Sequence, residues 1–160
     1  MNLKIEAAQK TDAPIILRLI TALAEYEKLS REVVATEDSI RETMFGDEPQ
    51  AEAVLAYADD QPVGLAIWFH NYSTFLASKG LYLEDLFVLP EWRGQGIGKA
   101  LLVHLAGIAV ERGCGRMEWS VLNWNTPAIG FYRSLGAKAM DEWTVFRLTG
   151  DAITTLARRG

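Results

Sequence analysis

The segment Arg93-Gly94-Gln95-Gly96-Ile97-Gly98-Lys99 constrains the fold more than any other stretch of the chain. It follows the strand-like run Leu81 to Leu89 and opens a helix marked by Ile97, Leu101, Leu102, Leu105, Ile108 and Ala109 at helical spacing, ending at Gly113. Three glycines let main-chain N–H groups approach an anion closely, and a helix start adds partial positive charge at the same place. A phosphate is therefore the expected ligand; the alternative is a glycine-rich turn that holds nothing. Two familiar phosphate motifs fail on spacing. A Walker loop needs glycine where Arg93 stands and Ser or Thr where Ala100 stands, and a dinucleotide fingerprint needs glycine where Lys99 stands. The segment also lies far from the first strand, where a dinucleotide fold carries its loop.

Around this unit the apolar pattern alternates between periods. Leu3 and Ile5 begin a strand, and Thr11 or Asp12 with Pro14 starts a helix whose inner face is Ile15, Ile16, Leu19, Ile20, Leu23 and Ala24. A second helix is expected from Thr36 to Phe45, stopped by Gly46. Ala53 to Tyr57 and Val63 to Phe69 read as a hairpin about the turn Asp59 to Pro62, and His70 to Gly80 as a polar and aromatic loop. After the central helix come a strand from Arg116 to Leu122, a short helix from Thr126 to Leu135 with Pro127 in its first turn and Gly136 beyond its end, and a last strand from Val145 to Leu148. This order predicts an α/β or α+β fold around a mixed sheet, a single domain over residues 1–160.

Composition narrows the function. With 49% apolar and 23% charged residues, the chain fits neither a disordered nor a fibrous class. Its apolar stretches are broken well before the roughly 18 residues a membrane span needs, and Met1 to Lys10 lacks a signal peptide's apolar heart, so a cytoplasmic protein without a membrane partner is expected. One cysteine and two histidines make a metal centre improbable. A net charge of −5 argues against nucleic acid as a partner, so any bound anion must be held by a local device.

Two further elements stand out. Leu81-Tyr82-Leu83-Glu84-Asp85-Leu86-Phe87-Val88 is apolar on both faces, as a covered central strand should be, yet carries two adjacent acids. Burying an ionised carboxylate costs several kcal/mol without partners, so Glu84 and Asp85 need either ion pairs or a cleft. The other element is Asn123-Trp124-Asn125-Thr126-Pro127-Ala128 with Phe131-Tyr132-Arg133 and Gly136-Ala137, where a Phe-Tyr pair on a short helix ordinarily means core packing.

Together these elements resemble the GCN5-related N-acetyltransferase (GNAT) superfamily, whose coenzyme A loop, Arg/Gln-x-x-Gly-x-Gly/Ala, is matched by Arg93 to Gly98 at every defined position. The strand Leu81 to Val88, the segment Leu23 to Leu29 and the Asn-Trp-Asn to Phe-Tyr element are similar to the diamine acetyltransferase branch, which includes spermidine/spermine and thialysine acetyltransferases. The resemblance implies a mostly antiparallel, centrally splayed sheet flanked by helices. It further implies a homodimer and acetyl transfer from acetyl-CoA to a primary amine by direct attack in a ternary complex. Carried over by position, the backbone of Leu86, Phe87 and Val88 would pair with the pantetheine arm and supply an oxyanion donor, a contribution of roughly 3 kcal/mol when preorganised. Gly94, Gln95, Gly96, Ile97, Gly98 and Lys99, with Arg93, would hold the pyrophosphate, and Asn125, Thr126, Pro127, Ala128 and Arg133 would approach the far side of the cofactor. Glu25, Tyr26, Glu27, Asp85, Glu118, Trp119 and Ser120 match acceptor-pocket positions.

The implied chemistry demands proton transfer. An alkylammonium of pKa about 10.4 has no lone pair, and freeing one at neutral pH costs roughly 4.6 kcal/mol. Glu84, directly or through a water, is the candidate acceptor of that proton, with an ion-pair role as its alternative. Tyr132 matches the general acid for the departing thiolate, an uphill transfer of roughly 2 kcal/mol unless the site assists it; packing is its alternative. His70 and His104 read as non-catalytic, and Cys114 has no histidine near it in sequence. The runners-up to a small-amine acetyltransferase are a protein or peptide N-acetyltransferase and a coenzyme A binding module without turnover.

Overall fold

A computed structural model describes all of residues 1–160, which divide into two compact units, Met1–Ser120 and Val121–Gly160. In the first unit the strands β1 (Leu3–Ala7), β2 (Glu52–Ala58), β3 (Gln61–Ser73), β4 (Ser78–Val88) and β5 (Met117–Trp119) form one sheet in that order. All pairs are antiparallel except β4 and β5, which run parallel over Leu81–Leu83 and Met117–Trp119. A parallel pair needs a crossover, and α3 (Ile97–Glu111) supplies it.

Helices cover both faces. In α1 (Ala13–Tyr26), Pro14 sits in the first turn, where its missing N–H costs nothing, and Ala13, Ile16, Leu19 and Leu23 pack against Ala53, Leu55, Leu65, Ile67 and Phe87. Alternation turns the even residues of β3 to the other face, where a Cβ on Gly64 would lie 3.4 Å from Leu101 of α3. There α3 buries Ile97, Leu101, Leu102, Leu105 and Ala109. Each fully buried Leu or Ile contributes about 1.5–3 kcal/mol, so this two-sided burial explains why β3 and β4 read as continuous apolar runs. The second helix, α2 (Glu37–Phe45), begins with a Thr36–Ser39 capping box and stops at Gly46, where a Cβ would lie 2.6 Å from the Glu42 carbonyl oxygen.

The structure corrects three sequence expectations. Residues 70–80 are not a loop: the β3–β4 ladder continues to Ser73 opposite Ser78, leaving a four-residue tip at 74–77. Beyond Trp68, β3 has β4 as its only strand partner, so this ribbon carries no apolar run to announce it. The strand expected from Arg116 to Leu122 shortens to Met117–Trp119.

The third correction concerns the second unit. No strand forms at Val145–Leu148; Trp143, Val145 and Phe146 are 75%, 81% and 91% exposed in irregular backbone. An apolar pattern cannot make a strand where no neighbour accepts its ladder hydrogen bonds. Helices α4 (Thr126–Ser134) and α5 (Asp151–Ala157) are the regular elements of this unit. The start and stop chemistry of α4 is as expected: Asn125 Oδ1 accepts from the Ala128 N–H at 3.4 Å, Pro127 occupies the first turn, and Gly136 follows at φ +91°.

Candidate active site

The centre of the first unit is an irregularity in β4. Ile67 lies opposite Asp85 and Trp68 opposite Leu83, so Glu84 is an extra residue with no partner in β3, a β-bulge. The bulge inverts the alternation. Leu81 and Leu83 point to the α3 face, whereas Asp85 and Phe87 join Ile67 and Leu65 on the α1 face. Glu84 itself is exposed and Asp85 half-buried, which answers how a covered strand carries two adjacent acids.

Beyond Leu83 no strand pairs with the outer edge of β4, because β5 stops there. The Leu89 N–H donates to Val63 O at 2.9 Å, which sets Phe87 and Leu89 toward β3 and, by alternation, turns the N–H groups of Leu86 and Val88 outward. Only those two of the three expected residues offer main-chain donors on the open edge; Phe87 contributes its ring to the core instead.

The glycine-rich turn follows at once. Gly94 and Gly96 have φ of +77° and +83°, a conformation that disfavours side chains, and a Cβ at either would meet nothing within 4 Å. Gly96 caps α3 without any side-chain partner, and the first bond within the helix runs from the Ala100 N–H to Gly96 O at 3.0 Å. The N–H groups of Ile97, Gly98 and Lys99 precede that bond and form an open set of donors at the positive end of a 15-residue helix. Gln95 and Lys99 are exposed beside them. Arg93 has a local role: its Nε donates to Val88 O at 3.0 Å, and its guanidinium lies 4.2 Å from the centre of the Tyr26 ring.

The acceptor-side candidates divide. Asp85 feels Glu84 and Glu27, and burial, reinforced by these two charges, pushes its carboxyl up to about 6. Burial also raises the Glu27 carboxyl. Glu25 points elsewhere, into a surface groove with Thr21 and Glu37. On β5, Glu118 pairs with Tyr82 in register and Trp119 with Leu83, so Glu118 shares the Tyr82 face and Trp119 the opposite one. Glu118 is held by Arg116 at 2.9 Å and by Asn71 at 3.3 Å, and the Ser120 hydroxyl meets the Tyr82 hydroxyl at 3.0 Å.

In the second unit, Asn125 to Ala128 form the first turn of α4, and the rings of Phe131 and Tyr132 lie 5.7 Å apart between centroids. Arg133 is exposed, and its carbonyl accepts the Gly136 N–H at 3.0 Å.

One cluster escaped the sequence. Cys114 Sγ lies 3.9 Å from His70 Nδ1, although 44 residues separate them. Arg112 donates to His70 Nε2 at 3.0 Å and makes a two-pronged ion pair with Glu52 at 2.6 and 2.9 Å, which holds the Glu52 carboxyl below its ordinary value. A guanidinium only donates, so Nε2 is the acceptor and the Nδ1–H faces Gly80 O at 3.1 Å. The imidazole is thereby committed to structural bonds. No group of three or more His, Cys, Asp or Glu converges as a metal site would require, and no helix is long and apolar enough to cross a membrane.

Comparison with known proteins agrees with this geometry. The acetyltransferase (GNAT) family matches residues 18–137. Thialysine N-epsilon-acetyltransferase from Bos taurus is 38% identical, with 96% of each chain covered. L-ornithine N5-acetyltransferase from Arabidopsis thaliana is 33% identical over 96% of this chain and 87% of its own. Among solved structures, an integron cassette protein from the mobile metagenome of V. cholerae superposes with a TM-score of 0.83 at 27% identity over 99% of both chains. An open strand edge, an uncapped glycine turn and a match spanning most of the sequence converge: this chain is an acetyltransferase of the GNAT family.

Proposed function

We propose that the enzyme transfers the acetyl group of acetyl-CoA to a primary amine of a small cationic substrate, a diamine, a polyamine or a lysine-like amino acid such as thialysine. The observation that carries this reading is the juxtaposition, along a few residues of β4, of outward main-chain donors with the acids Glu84 and Asp85 and their neighbour Glu27. The names of the relatives, which are thialysine and ornithine acetyltransferases, favour the same substrate class.

The open amides of Ile97, Gly98 and Lys99 and the left-handed glycines suit a pyrophosphate, and the outward N–H groups of Leu86 and Val88 suit the amide carbonyls of a pantetheine arm. Asp85 and Glu27 hold the ammonium form of the acceptor near the reacting carbonyl, and Glu84, exposed on the bulge, takes its proton directly or through a water. The freed lone pair forms the C–N bond while an outward amide of β4 stabilises the oxyanion. The C–S bond then breaks, and Tyr132, assigned as the acid by its family position, gives its proton to the departing thiolate and is reprotonated by the proton that the new amide nitrogen sheds, directly or through water. Asn125, Thr126, Pro127, Ala128 and Arg133 are assigned to the cofactor by their family positions. Glu118 and Ser120 extend the acceptor surface, and no metal takes part. We further propose a homodimer, supported by the apolar exposure of Trp143, Val145 and Phe146; a single-chain mass at micromolar concentration would refute it.

Replacing Tyr132 by Phe should lower kcat by about 10²-fold or more while leaving acetyl-CoA affinity within about two-fold. An unchanged kcat would remove the phenol from the reaction. Glu84→Gln should lower kcat/KM for the amine at pH 7, and the deficit should shrink as pH approaches the amine's own pKa, about 10, where solvent supplies the free base. A deficit that stays constant with pH would assign Glu84 to binding alone. Turnover with acetyl-CoA and peptide amines but none with small amines would favour the protein-acetylating alternative, and binding without turnover on any amine the sensing one.

Asp85 provides a pH test with a defined sign. Its carboxyl titrates near 6 in the folded chain against 3.8 as its ordinary value, so ionisation costs stability, which is lost as pH rises from about 4 through 6. Asp85→Asn should therefore be more stable than the parent at pH 7.5, on the order of 2 kcal/mol by chemical denaturation. The same variant should lose kcat/KM for the amine and the fall in kcat/KM that the parent shows below pH 6. A variant less stable at pH 7.5 would show that the carboxylate is a structural ion partner.

A further inference from the structure

The contacts of Arg93 point to a role that phosphate binding does not describe. Its Nε donates to the outward carbonyl of Val88, fixing the peptide plane at the end of the open edge, and its guanidinium lies over two aromatic faces, 4.2 Å from the Tyr26 centroid and 5.4 Å from that of Phe87. The two rings are themselves 6.5 Å apart. Phe87 is buried in the core, whereas Tyr26 is the last residue of α1, after which Lys28 at φ +63° turns the chain away. One side chain thus ties three elements: the edge of β4, the start of the glycine turn and the end of α1.

We propose that Arg93 and Tyr26 form a strut that sets the glycine-rich turn and the Val88 peptide in the geometry that receives acetyl-CoA, so that Tyr26 is a positioning residue for the cofactor rather than part of the acceptor pocket. The inference rests on reading the turn as the acetyl-CoA site. A planar guanidinium is required, since it lies over the ring while its Nε donates to the Val88 carbonyl; an ammonium is a single point of charge that cannot hold both partners in this geometry at once. A direct phosphate cation, by contrast, would be largely replaced by lysine and indifferent to the ring on α1.

The test is a double-variant cycle on the full chain with acetyl-CoA as titrant in calorimetry, each variant first checked for a native unfolding transition. Tyr26→Leu keeps apolar bulk against Phe87 and removes the π face. Tyr26→Leu and Arg93→Lys should each weaken acetyl-CoA binding about five-fold, and the double variant no more than the worse single one. Tyr26→Phe, which keeps the ring, should restore parental affinity. Independent, multiplying effects, or Arg93→Lys and Tyr26→Leu both binding as the parent does, would overturn the strut. Absence of saturable binding by the parent chain is a different failure, visible before any variant is made; it would overturn the reading of the turn and the strut with it.

Discussion

A main-chain amide inside a sheet must find an acceptor, and the site depends on the place where β4 leaves that requirement open. The strand is paired on both sides through Leu83, unpaired at the bulged Glu84, and paired on one side only from Asp85 onward. Two outward N–H groups, at Leu86 and Val88, follow from that single change of neighbour. The bulge at Glu84 makes the change useful, since the extra residue swings Asp85 and Phe87 onto the α1 face. Acids and main-chain donors therefore share one short segment, held by a core in which Leu65, Ile67 and Phe87 are each at most 7% exposed.

The price of that arrangement is electrostatic. Asp85 is half-buried beside two like charges and has no cationic side chain among the groups that shift its titration. The fold tolerates it because the surrounding burial by α1 and α3 is large against a few kcal/mol, and a cationic acceptor would supply the missing counter-charge. Strain at the site and stability in the sheet are thus two readings of the same strand.

Much of this was legible in the sequence. The glycine turn was, because Gly94 and Gly96 occupy backbone conformations that other residues avoid, and so were the helix faces, since Ile16, Leu19, Leu101 and Leu105 are spaced by the helical period. The mixed, mostly antiparallel sheet followed from the order of elements and the family resemblance. The bulge was hidden, because an extra residue is a property of pairing, and two adjacent acids say only that something must relieve them. Pairing also hid the outer β3–β4 ribbon, whose Asn71, Tyr72 and Ser73 look like loop residues until Ser78 and Lys79 stand opposite. The His70, Arg112, Glu52 and Cys114 cluster joins three distant stretches and carries no local signal. At Val145–Leu148 the pattern called for a strand and the second unit offers it no partner.

The central claim is that coenzyme binds to main-chain donors at two defined places, the outer edge of β4 and the first turn of α3. Amide-resolved nuclear magnetic resonance with stepwise addition of acetyl-CoA tests it most directly. The N–H resonances of Leu86, Val88, Ile97, Gly98 and Lys99 should move saturably and with one common dissociation constant, and should do so more than that of Phe87, whose amide faces β3. Saturable shifts centred elsewhere in the chain, with those five amides unmoved, would contradict the account.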